Sequence, residues 1–112
     1  MPLRIEIPGG LSAWRESPGG QQASGQEIQP GVVLREDPYF GKRLAEPETV
    51  RLLLEFGERL IEAKGAADLL YSLAKTARAT WVKINGRRTG VDRAEIEQAL
   101  TREQDTLRLT DD

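Results

Sequence analysis

The dipeptide Asn85-Gly86 sets the tightest local limit on how this chain can fold. A two-residue type I′ turn needs positive φ at both central positions, which Asn and Gly tolerate best. β-Branched residues flank the pair in "TWVKINGRRTGV", so a hairpin of two short strands is expected around the bend. Strand alternation then sends Val82 and Ile84 to one side, and Trp81 and Lys83 to the other.

Helices are expected on both sides of this hairpin. Downstream, Asp92 is placed to cap a helix and Glu95 stands three residues on, as in a capping box. Val91 is positioned to staple onto Ile96, and Ile96, Ala99 and Leu100 form the inner face. "TLRLT" at 106–110 reads as a closing short strand. Upstream, Pro47 suits the first turn of a helix, where a missing N–H costs nothing. Glu48, Arg51, Glu55, Arg59 and Glu62 then fall at three- and four-residue spacing, with Val50, Leu53, Leu54, Leu60 and Ile61 opposite. A further helix carries Leu69, Leu70, Leu73 and Ala77 on one face and Asp68, Lys75 and Arg78 on the other. The two apolar faces would diverge along one straight rod, so a break is expected at Gly65.

The composition changes along the chain. All six prolines lie at or before Pro47, and seven of the eleven glycines at or before Gly41. Leu3, Ile5 and Ile7 alternate with Arg4 and Glu6 as in a half-buried strand, and "GVVLRE" is a second strand candidate. Between them "GQQASGQ" is too polar to bury a core of its own. The expectation is an extended Gly/Pro-rich arm over residues 1–46, with one or two short strands. A small α+β domain over residues 47–112 follows, built from three helices and a two-stranded β-hairpin.

Composition also narrows the chemistry. Histidine and cysteine are both absent, which removes the commonest near-neutral acid–base group and the commonest metal ligands. Ser12, Ser17, Ser24 and Ser72 have no histidine to activate them, and no Gly-rich phosphate loop occurs. The carboxylates fall mostly at salt-bridge spacing, and "TDD" lacks the alternation of a calcium loop. No catalytic residue, metal site or cofactor is expected, and the reading is non-enzymatic. No stretch approaches the roughly 18 apolar residues of a membrane span. "MPLRIEIPGG" lacks the basic start and apolar run of a secretory signal. A cytoplasmic protein without a membrane partner is expected.

Two surfaces ask for a partner. Leu52 and Phe56 stand at i, i+4 beside the charged stripe of the expected first helix, while Trp14, Tyr39 and Phe40 are bulky for a free arm. These five residues point to protein contact, so the chain is read as an interaction or assembly protein. It would associate with itself or with other subunits as a structural component of a larger complex. A compact C-terminal portion of this size is marginal alone, which favours company.

The alternative is a nucleic-acid-binding regulator, similar in its logic to a winged helix. Lys75, Arg78, Lys83, Arg87 and Arg88 would supply its contacts, with Trp81 available for stacking. Against it stands a net charge of −2. Residues 75–93 hold six basic side chains against Asp92, whereas residues 94–112 hold Arg102 and Arg108 against six acidic ones. Such adjoining blocks attract one another within a fold or between copies.

Overall fold

The computed structural model describes residues 2–18, 20–21, 25–29, 31–37, 48–55 and 63–110. Its centre is a six-stranded antiparallel sheet built from β1 (Pro2–Ile7), β2 (Gln26–Gln29), β3 (Val32–Glu36), β4 (Val50–Glu55), β5 (Val82–Ile84) and β6 (Arg87–Thr89). The order across the sheet is β2-β3-β4-β1-β5-β6. Among the described residues three helices accompany it: α1 (Leu11–Glu16), α2 (Ala63–Thr76) and α3 (Arg93–Thr110).

Period-2 alternation gives the sheet two unlike faces. Leu34, Leu54 and Leu3 form one cross-strand row of the buried face; Leu52, Ile5 and Ile84 form the next, and Val50 lies across from Ile7. All of these are at most 1% exposed. They pack with Trp14 of α1, Ala66, Ala67, Leu70 and Ala74 of α2, and Ile96 and Leu100 of α3. The helices therefore cover one face, as an antiparallel sheet permits. Because β4 and β5 both pair antiparallel with β1, they run parallel to each other. Such a pair needs a crossover, and α2 supplies it.

The α+β class holds, but the expected three helices and two-stranded hairpin behind an extended arm are corrected to a six-stranded sheet with helices on one side. The segment read as an arm supplies β1, β2 and β3, and β1 lies between β4 and β5. α1 was not foreseen. Residues 50–55 of the expected first helix are strand β4, because "VRLLLE" fits period 2 as well as it fits a helical stripe. Pairing with β1 along its whole length decides the matter. Glu48 and Thr49 of that expected helix precede the strand without being helical, and Pro47 and residues 56–62 lie outside the described residues. α2 begins before Gly65, so that glycine breaks nothing; a Cβ there would stand 3.3 Å from Ile28 Cγ2. "TLRLT" continues α3 rather than forming a strand.

The local signals that held have visible causes. Asn85 and Gly86 adopt φ of 52° and 82°, both in the left-handed region that the tight turn requires. Asn85 also joins the hairpin to β1: its N–H donates to the Arg4 carbonyl, and its Oδ1 accepts from the Arg4 N–H at 2.9 Å. Asp92 Oδ1 accepts the Ala94 N–H at 2.7 Å, capping α3. The capping box is only half made, since the Asp92 N–H donates to the Gly90 carbonyl. Among the described residues, no helix is long and apolar enough to cross a membrane.

Candidate interaction surface

Among the described residues no helix lies over the other face of the sheet, and its rows are set by the same registers. One row runs Arg35, Leu53, Arg4; the next runs Arg51, Glu6, Lys83, Arg88; Glu27, Val33 and Glu55 form a third. Among the described residues, every side chain of these rows is half-buried or exposed. Leu53 and Val33 are the apolar members.

Two ion pairs tie part of this lattice together. Arg51 Nε lies 2.9 Å from Glu6 Oε1, and Arg35 Nε donates to Glu55 Oε1. Arg4, Lys83 and Arg88 have no carboxylate within ion-pair reach among the described residues. Instead, the Arg88 guanidinium stands 4.5 Å and the Lys83 ammonium 5.5 Å from the centre of the half-buried Trp81 ring. Cation–π attraction holds both cations over one aromatic.

The expected contact residues fare differently. Leu52 and Trp14 are each 1% exposed and belong to the chain's own core, so neither offers a surface to a partner. Strand alternation turns Leu52 inward and leaves its neighbour Leu53 outward. Phe56, Tyr39 and Phe40 lie outside the described residues.

The basic set is divided. Lys83 and Arg88 share the open face, whereas Arg87 follows the alternate direction and stands 3.7 Å from the nearly buried Glu103 of α3. Lys75 sits in the last turn of α2, 5.8 Å from the Tyr71 ring centre. Arg78 follows α2 with φ 57°, its N–H donating to the Lys75 carbonyl while the Ala79 N–H reaches the Ala74 carbonyl. That pattern is a Schellman cap with arginine where glycine is least strained. Arg78→Gly is therefore expected to raise stability by about 1 kcal/mol, read as a higher denaturant midpoint at unchanged slope.

Arg4 and Leu53 were missed as surface candidates. The alternation of "LRIEI" already turned Arg4 away from the core, but Leu53 could be placed only once "VRLLLE" is recognised as a strand.

Among the described residues, no group of three or more His, Cys, Asp or Glu side chains is arranged to hold a metal. An open depression is lined by Tyr71, Val91, Asp92 and Arg93, and its arginine is engaged by internal contacts. Arg93 Nε lies 2.9 Å from Asp68 Oδ1, and its guanidinium stands 5.1 Å from the Tyr71 ring centre. Comparison with protein-family models, curated proteins and solved structures gave no match.

Proposed function

We propose that this chain is a non-catalytic interaction module that docks onto protein, a second copy or another subunit, through the open face of its sheet. The carrying observation is the unevenness of that face. Leu53, Val33 and Trp81 are half-buried on a side that no helix covers among the described residues, and Arg4, Lys83 and Arg88, which have no carboxylate partner among those residues, share that side. Leu53, on an inner strand between Arg35 and Arg4, gives that face an apolar point within polar surroundings, as protein contacts have. Addition of a strand at a sheet edge is the weaker mode here. β6 is three residues long and carries two arginines, and β2 is irregular between Glu27 and Gln29.

Nucleic-acid binding is the second reading. Lys83, Arg88 and Trp81 favour it, while Arg87, Lys75 and Arg78 stand apart from their face.

Photo-crosslinking separates the two. A photoreactive residue placed at Leu53 in the native cells is expected to yield adducts with protein, and the same residue at exposed Ser72 on α2 is expected to yield far fewer. Equal yields at the two positions would remove the proposal. Nuclease-sensitive adducts at position 53 would replace it with the second reading.

A further inference from the structure

We infer that the occupant of the open face is an acidic segment of a partner protein, bound across β1, β5 and β6. This rests on the interaction reading above and adds the partner's chemistry. Its first support is the register, which places Lys83 directly across from Arg88. Like charges so opposed are unfavourable in an antiparallel pair. Arg4 lies diagonally from Lys83 on the same face, at a spacing of about 7–8 Å, and it has no carboxylate partner among the described residues.

The second support is the contrast with the other half of the face. There Arg35 and Arg51 are neutralised by Glu55 and Glu6. The β1–β5–β6 end therefore carries an excess of positive charge: Glu6 lies across from Lys83 but is paired with Arg51, which leaves Arg4, Lys83 and Arg88 without a carboxylate partner among the described residues. Carboxylates supplied from outside would pair with Arg4, Lys83 and Arg88, and an apolar side chain flanking them on the β4 side would rest on Leu53, which lies directly across from Arg4.

A nucleic-acid strand fits less well. Its phosphates repeat at every nucleotide, and Glu6, Glu27 and Glu55 interrupt the face that would track them. Stacking platforms use aromatics for successive bases. Among the described residues Trp81 is the one aromatic on this face, and Arg88 already stands over it.

The test is a titration of the isotope-labelled full chain followed by NMR. The probes are a synthetic peptide of alternating Glu and Leu, its Lys-Leu counterpart, and a single-stranded oligonucleotide of matched charge. The Glu-Leu peptide is expected to shift the Arg4, Lys83 and Arg88 amides and the Trp81 indole, with affinity falling as salt rises. Arg88→Glu is expected to weaken it about tenfold, and Arg88→Gln by less. Arg87→Glu alters the adjoining residue, 70% exposed on the opposite side, and is expected to leave affinity within about twofold. Arg88→Glu places a carboxylate across from Lys83, so the hairpin is expected to remain folded.

Three outcomes would overturn the inference. They are equal binding of the Lys-Leu peptide, equal loss from the Arg87 and Arg88 variants, or tighter binding of the oligonucleotide at the same residues. Protein adducts at position 53 without any Glu-Leu binding would overturn the acidic partner alone, leaving the contact face in place.

Discussion

Replacing Trp14 with alanine is expected to lower the unfolding free energy of the isolated chain by about 3–5 kcal/mol. Trp14 is 1% exposed and sits on a helix of six residues. A helix that short has no independent stability in water. Its attachment therefore depends on the indole buried beneath it, together with the Leu11 N–H donating to the Glu48 carbonyl. Denaturant unfolding followed by circular dichroism checks the value. A loss below about 1 kcal/mol would mean that Trp14 is not a core residue, and a partner-facing role for it would return.

The second large effect distinguishes two neighbouring leucines. Leu52→Ala is expected to cost about 2–5 kcal/mol, and Leu53→Ala less than about 1 kcal/mol. Leu52 lies across from Ile5 on the covered face, while Leu53 lies between Arg35 and Arg4 on the open one. A helix over the same residues, with Leu53 on its core side and Leu52 beside the charged stripe, requires the opposite ranking. Parallel unfolding curves of the two variants therefore test the strand assignment itself. Equal costs, or a larger cost at Leu53, would refute the register on which the open face depends.

What the sequence made legible was local. Asn85-Gly86 carried its turn, Asp92 its cap, and Leu3, Ile5 and Ile7 their alternation, because each depends on neighbours within a few residues. "VRLLLE" carries two readings at once. Its leucines satisfy either period, and Pro47 with charges at three- and four-residue spacing tips a local reading toward helix. The deciding partner is β1, far away in sequence, and no local pattern announces it. "QEIQ" failed for a related reason. An edge strand with one apolar side chain gains its place from β3, not from its own hydrophobicity.

The candidate surface followed the same division. Lys83, Arg88 and Trp81 were visible as a basic, aromatic stretch, since all three lie along one hairpin. Their separation from Arg87 follows from alternation about the turn. Arg4 and Leu53 join them only through pairing across β1, so tertiary information was needed to assemble the face.

The central position of β1 also affects how the chain is made. As the polypeptide leaves the ribosome, this strand emerges well before β4 and β5, between which it must insert. Until translation has passed Ile84, the side chains of Leu3, Ile5 and Ile7 lack part of their eventual shelter. Closure of so distant a pairing is slow, and a waiting apolar strand invites capture by chaperones or by other nascent chains. Yield during synthesis should therefore respond to elongation speed and chaperone supply more sharply than the finished protein's stability would suggest.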